Sequence, residues 1–247
     1  MRIWLCGLLF LCVGCASVGT TESKPIVFGS DLGNRPFAYI ENNRPQGFEP
    51  ELIVAVATAL DRRIALSRMP FGLLIDAVVS GEIDVACATL GITPERAAQV
   101  AFTVPYYVTE ISVVVPIDSP LQTTGDLAGK RIGASRGTTS ERAVRQQVPT
   151  ANLVLDRKEN VSFAMLLDAG DVDAAAMDGP DAQRMVSAAP TKYRRLGALS
   201  TERYAMAVHP ENSELLQELN LALARLKSEG RIETMLLRHA IPRSQSR

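Results

Sequence analysis

"GEIDVACA" at residues 81–88 returns, in altered form, as "GDVDAAAM" at residues 170–177. The copies stand 89 positions apart, and so do Asp84 and Asp173. Each opens on a glycine that closes a run with helical spacing, "FGLLIDAVVS" before Gly81 and "VSFAMLLDA" before Gly170. Glycine ends helices because it enters the left-handed region without a Cβ penalty. Each copy then runs into "IDVACA" or "VDAAAM", too apolar for a strand with one wet face. Helix, glycine, acid and buried strand, written twice, predict two α/β units.

The flanking sequence carries the same alternation. "PIVFGS" reads as a strand, the Pro/Gly-rich stretch to Gly47 as loop, and "PELIVAVATAL" as a helix with Glu49 and Glu51 in its first turn. "RIALSRM" is a strand, and "PERAAQV" a short helix with proline at its first position. This βαβαβα order predicts a mostly parallel sheet covered on both faces. The alternation pauses at "YYVTEISVVVPI", a β-rich run, and restarts after "DLAGK". There "RIGAS", "ANLVLD" and "VDAAAM" are strands, and "TTSERAVRQQV", "VSFAMLLDAG" and "PDAQRMVSAA" helices. A last β-run lies near "RYAMAVHP", followed by helices "SELLQELNLALARLKSEG" and "IETMLLRHA". Leu215, Leu216, Leu219, Leu223 and Leu226 make one apolar face of the first of these.

The chain has 247 residues, 47% hydrophobic and 21% charged, which is soluble globular composition and enough for two small domains. Net charge is -1 with no basic stripe, which argues against nucleic-acid binding. At the N-terminus "IWLCGLLFLCV" follows Arg2; it is too short for a spanning helix and suits a signal peptide over residues 1–14. "VGCAS" resembles a lipobox, which makes Cys15 the expected lipidated residue, although Cys12 stands where leucine is usual. The alternative is plain cleavage after Gly14, Ala16 or Gly19. The polar stretch at residues 15–24 is the expected tether. Cys87 is then the one cysteine of the body, so no intrachain disulfide or CxxC zinc site is expected.

Several polar residues fall just past strand ends, where open α/β sheets bind ligands. Thr89 comes five residues after Asp84, and Asp178 five after Asp173. Arg96 sits in the first turn of a helix, an unfavourable place for a cation without an anion; it is either solvated near Glu95 or aimed at a carboxylate. Asp178, in "MDGP", is either a helix cap or a carboxylate awaiting an ammonium. Thr138 and Glu141 have capping-box spacing, which leaves Thr139 to face a cleft, and helix amides there also suit an anion. Arg96 and Asp178, offered from two lobes, together match a zwitterion.

Six motifs in order carry a resemblance: "SDLGNRPFAY", "GFEPEL", "LLIDAVVSGEIDVA", "ITPERAAQVAFTVPYY", "DLAGKRIGASRGTTS" and "LLDAGDVDAAAMD". From Pro25 to the C-terminus the chain resembles the family 3 extracytoplasmic solute-binding proteins of bacterial amino-acid ABC importers. The resemblance implies two Rossmann-like α/β lobes joined by two hinge strands, the type II periplasmic-binding (Venus-flytrap) fold. Lobe 1 would comprise 25–111 plus 204–247 and lobe 2 115–201, with hinges near 111–115 and 202–206. It implies that Arg96 holds a ligand α-carboxylate, that Thr89 and Asp178 hold the α-ammonium, and that the Thr139 region meets the carboxylate from the other lobe. The implied setting is extracytoplasmic, with a monomer delivering an amino acid to an ABC permease and touching the membrane only through its lipid. No cofactor or metal is implied.

Departures from the family fall in the side-chain pocket. Asn34 stands where an aromatic residue is frequent, Phe71 where tryptophan or another large residue is, and Gly91 where several members carry serine or another polar residue. Asp31, Asn34, Phe71 and Arg136 are candidate pocket walls; as ordinary features they are turn residues, core and surface. A polar cargo is favoured, and Arg136 would suit an acidic one.

Two enzyme readings compete. "GASRG" at 133–137 fits the G-x-S-x-G nucleophile elbow, with Ser135 as nucleophile and His209 or His239 as base. A dehydratase of cyclohexadienyl acids on the same fold would need an acid in the cleft. A sensor that presents ligand to a receptor is the third class. Cys87 reads as a small core residue.

Overall fold

In a computed structural model, with residues 24–155 and 162–244 described, the two copies of the doubled phrase occupy equivalent places in two sheets. The signal peptide, Cys15 and nearly all of the tether lie outside the described residues.

The chain enters on β1 (Ile26–Ser30), then forms a small antiparallel sheet of β2 (Gly33–Asn34), β3 (Ala38–Glu41) and β4 (Arg44–Gln46). It continues through α1 (Phe48–Ala59), β5 (Ile64–Arg68), a 3-10 turn at Phe71–Leu73 leading into α2 (Leu74–Val79), β6 (Val85–Ala86), α3 (Pro94–Ala97) and β7 (Ala101–Phe102). The long β8 (Tyr107–Pro116) carries it into the second lobe. There lie β9 (Arg131–Ala134), α4 (Thr139–Gln147), β10 (Asn152–Leu155), α5 (Phe163–Asp168), β11 (Ala174–Asp178) and α6 (Gly179–Ala188). The equally long β12 (Tyr193–Tyr204) returns to the first lobe, which closes with β13 (Ala207–Val208), α7 (Ser213–Ser228) and α8 (Arg231–Arg238).

The sheets have orders β5-β1-β6-β13-β7 and β10-β9-β11-β8-β12. In both, the first three strands are parallel and the fourth runs antiparallel. Gly81 and Gly170 adopt φ of 75° and 69°, the left-handed conformation that stops α2 and α5. The repeated acids also share one task. Asp84 accepts the Val27 N–H at 2.8 Å and donates its own N–H to the Val27 carbonyl at 2.9 Å. Asp173 does the same to Arg131, both at 2.8 Å.

Each lobe has its own core. Phe28, Phe48, Leu52, Tyr107, Tyr204, Leu219, Leu223 and Leu226 belong to the first, with Cys87 buried among them. Ile111, Val113, Val115, Leu127, Ile132 and Ala174 belong to the second. Leu215, Leu219, Leu223 and Leu226 of α7 are buried as their spacing predicts, and Leu216 is partly buried against the same core. Each buried leucine contributes about 1.5–3 kcal/mol by leaving water. The stretch expected as loop before Gly47 differs from expectation, since it forms the small β2-β3-β4 sheet. Its strands are two to four residues long, too short to show an alternating pattern.

Candidate ligand-binding cleft

The cleft between the lobes has a volume of about 1260 Å³. Nine of the ten candidate residues line it: Asp31, Asn34, Phe71, Thr89 and Arg96 from the first lobe, and Arg136, Thr138, Thr139 and Asp178 from the second. Gly91 is the one that does not line it, although its carbonyl accepts a bond from Arg96 at 2.7 Å.

Arg96 is placed by α3. Thr93 caps that turn, accepting the Arg96 N–H at 3.2 Å, and Pro94 opens it. The guanidinium spans the lobes. Nη1 donates to Gly91, and Nη2 donates to the Gly137 carbonyl of the second lobe at 3.1 Å. The Phe71 ring lies beneath it, 5.3 Å from centroid to Cζ, a cation–π distance. Burial pulls its pKa below the ordinary value, opposed by the Glu202, Asp178 and Glu95 carboxylates.

Thr89 adopts φ of 45°, uncommon for a β-branched residue and a form of strain that concentrates at functional sites. Two contacts hold it there. Its N–H donates to Glu49 Oε1 at 2.5 Å, and its hydroxyl accepts from Asn34 at 3.2 Å. Glu49 is fully buried, also accepts the Tyr106 hydroxyl, and is raised by burial to about 7. As expected it lies in the first turn of α1, but its carboxylate supports the cleft wall. No feature of "GFEPEL" as a bare string reveals that task.

Asp178 takes the N-cap position of α6, yet its side chain makes no capping bond. The carboxylate is left for the cleft. Burial and the neighbouring Asp181 raise it to about 7, against the Tyr204 hydroxyl and Arg96. Thr138 caps α4, accepting the Glu141 N–H at 3.5 Å and donating to the Ser135 carbonyl at 2.7 Å. Glu141 answers at Gly137, whose N–H it accepts at 2.8 Å, rather than at the Thr138 N–H that capping-box spacing implies. Arg136 is exposed on the cleft rim near Glu141. Burial raises Asp31, which the backbone of Leu32 and Gly33 and the Arg68 charge oppose.

Three residues were not singled out by sequence. Asp181 and Arg184 line the cleft and pair at 2.7 Å. Their three-residue spacing on α6 after Asp178 is a legible signal. Glu202, at the end of β12, is 4% exposed, and burial with Asp178 nearby raises it to about 8. Besides Arg96, the pair Glu95–Arg142 at 3.1 Å crosses between the lobes.

Ser135 lines the cleft, but neither His209 nor His239 does. His209 accepts the Glu211 N–H at 3.3 Å, and His239 pairs with Glu51 at 2.8 Å, so the structure gives Ser135 no histidine base. Among the described residues no cluster of metal-ligating side chains is present, and no helix is long and apolar enough to cross a membrane.

Paired sheets of this order, with polar groups converging from both lobes, have close counterparts. The chain is 30% identical over 218 residues to the ABC transporter arginine-binding protein 1 of Escherichia coli K12, covering 86% of this chain and 89% of that one. An ancestral arginine-binding protein bound to arginine superposes with a TM-score of 0.76 at 33% identity, over 88% of this chain and 98% of the other. The arginine-, lysine-, histidine-binding protein ArtJ of Geobacillus stearothermophilus gives 0.77 at 27% identity, over 87% and 94%. The sequence profile of the bacterial extracellular solute-binding proteins, family 3, matches residues 26–240, nearly the whole described chain. Two lobes of one topology, the cleft between them and this match lead to one conclusion: the chain belongs to family 3 of the bacterial extracellular solute-binding proteins.

Proposed function

We propose that this protein binds a free amino acid with a cationic side chain, arginine foremost, and delivers it to an ABC importer outside the cytoplasm. The observation that carries the reading is the placing of Arg96 and Asp178 on opposite walls of one cleft, with Asp31 as a further acid beside Asn34 and Phe71. Arg96 exchanges its carbonyl partners for the ligand carboxylate, which a guanidinium grips with two charge-assisted bonds. Thr139 and the α4 amides meet that carboxylate from the second lobe. Asp178 and Thr89 take the ammonium. Asp31, Asn34 and Phe71 form the side-chain pocket, where Asp31 pairs with a cation and the ring stacks on a guanidinium. Asp31 therefore outweighs Arg136, which stays at the rim beside Thr138. The arginine-binding names of the similar proteins support this choice.

Closure uses the strand pair β8 and β12, which passes from the first core at Tyr107 and Tyr204 to the second at Ile111. Bending there, close to the expected hinges at 111–115 and 202–206, brings the lobes onto ligand. Cys15 carries the lipid that holds a monomer at the membrane, after removal of residues 1–14.

Asp178 and Glu202, raised to about 7 and 8, favour one second reading, a dehydratase that uses such an acid as proton donor. Incubation with prephenate or arogenate, read by absorbance of the aromatic product, separates the two. Binding itself is tested by thermal unfolding of residues 16–247, stripped of ligand, against the twenty amino acids, ornithine and citrulline. A ligand at a hundred times its Kd adds about 2.7 kcal/mol, roughly 2–4 °C. The expected hit is L-arginine; a flat response across the panel would contradict the reading.

A further inference from the structure

Gly91 lacks a side chain where the family resemblance places a polar one. The structure shows what fills the space. A Cβ built on Gly91 would stand 1.7 Å from Glu202 Oε1, 2.9 Å from its Cδ and 2.7 Å from Thr139 Cγ2. Backbone pairing fixes this approach. Gly91 bridges Tyr204, Ile92 donates to the Arg203 carbonyl at 3.0 Å, and Ala205 donates to the Leu90 carbonyl at 3.1 Å. A side chain at position 91 would have to displace the end of the Glu202 side chain, which couples the two positions.

Glu202 is buried, and its Oε1 has no hydrogen-bond partner. A buried acceptor without a donor is costly, more so when charged. Such a cost persists where a partner arrives with ligand. The groups facing Glu202 are Asp178, Arg96, Arg142 and the Thr139 hydroxyl. Arg96 and Asp178 are the proposed grips for the two ends of a zwitterion, so Glu202 stands between head-group contacts.

We propose that Glu202 is itself a head-group contact: its Oε1 occupies the place of a position-91 side chain and accepts a hydrogen bond from the ligand ammonium. An ammonium carries three donors and no acceptor. Asp178 and the Thr89 hydroxyl supply two acceptors, and Glu202 supplies the third. The inference rests on the amino-acid reading above and makes the head-group site stricter for a protonated amine than Asp178 alone would.

The test is calorimetric titration with two probes, L-arginine and its 2-hydroxy analogue argininic acid, which keeps the carboxylate and side chain but lacks the ammonium. Glu202→Gln preserves volume, and the double variant Gly91→Ser with Glu202→Ala returns a polar side chain to position 91. Glu202→Gln is expected to weaken L-arginine at least tenfold and argininic acid less than threefold. The double variant is expected to bind L-arginine within about fivefold of wild type. Unchanged L-arginine affinity in Glu202→Gln, or an equal loss for both probes, overturns the contact. If wild type binds no amino acid of the panel, the amino-acid reading fails and takes this inference with it, a result read before any variant is compared; if a different amino acid binds, it and its 2-hydroxy analogue serve as the two probes.

Discussion

Glu49 Oε1 receives the Thr89 N–H at 2.5 Å and so holds a cleft residue in a left-handed conformation from beneath. The same carboxylate takes the Tyr106 hydroxyl. Glu49→Ala strands both donors in the core and leaves a void. It is expected to cost about 2–4 kcal/mol in urea unfolding. Glu49→Gln keeps an acceptor and removes a buried titratable group, so its expected change is within about 1 kcal/mol. Equal losses in the two variants would mean that shape, and not the Thr89 bond, is what matters.

Among the described residues five acids are raised by burial, Asp31, Glu49, Asp178, Asp181 and Glu202, and the three largest shifts set the pH window. Glu49 and Asp178 lie at about 7 and Glu202 at about 8, burial being the first cause in each. Unfolded, such groups ionise near pH 4. Below that, both states hold the proton and the groups contribute nothing. Above it, the unfolded chain ionises first while the native state keeps its protons, so stability falls as pH rises towards about 8. The ligand-free protein is expected to show a higher urea midpoint at pH 5.5 than at pH 8.5. Glu49→Gln should reduce that slope. A midpoint that rises over the interval would contradict the burial of these carboxyls in the native state.

Asp84 and Asp173 tie the central strand of each lobe to its first strand by matching bonds. Each change to alanine is expected to cost about 1–2 kcal/mol. Arg131 also pairs with Asp173 at 2.6 Å, but both side chains are partly exposed, which limits what that pair adds. Because the sites lie in different lobes, the double variant should equal the sum within about 0.5 kcal/mol, measured by chemical denaturation.

The doubled phrase was legible because its parts are local. Helix, C-terminal glycine and strand follow one another directly along the chain, from Leu74 to Ala86 and from Phe163 to Asp178, and the strand-end polar groups Thr89 and Asp178 stand at fixed spacing. Thr138 and Pro94 are legible as helix-start residues for the same reason. What sequence left unread is what the fold alone brings together. Glu202 meets Gly91 across a gap of 111 residues, and neither residue is unusual in its own neighbourhood. The extent of β12 was also hidden. "YRRLGALSTERY" carries charges and a glycine and is broken by bulges between Arg195 and Gly197 and between Ala198 and Ser200. Its partner β8 is rich in β-branched residues, mostly buried and without a helical period, and is plain from sequence.

The ion pair Glu95–Arg142 joins the lobes at the surface, with side chains 66% and 32% exposed. Such pairs contribute little, about 0–1 kcal/mol, and less in salt. Arg142→Ala is expected to weaken ligand binding less than about fivefold, with the effect gone at 0.5 M salt. A larger, salt-insensitive loss by calorimetry would give this pair a role in the closed state that exposure argues against.

Arg96 and Asp178 are proposed to grip the two ends of one amino acid. Calorimetric titration of L-arginine into ligand-free wild type, Arg96→Ala and Asp178→Asn tests this grip most directly. One-to-one binding by wild type is expected, with a loss of about 2–5 kcal/mol in each variant, as when one partner of a buried charge pair is removed. Near-wild-type affinity in either variant, with the fold intact, would contradict it.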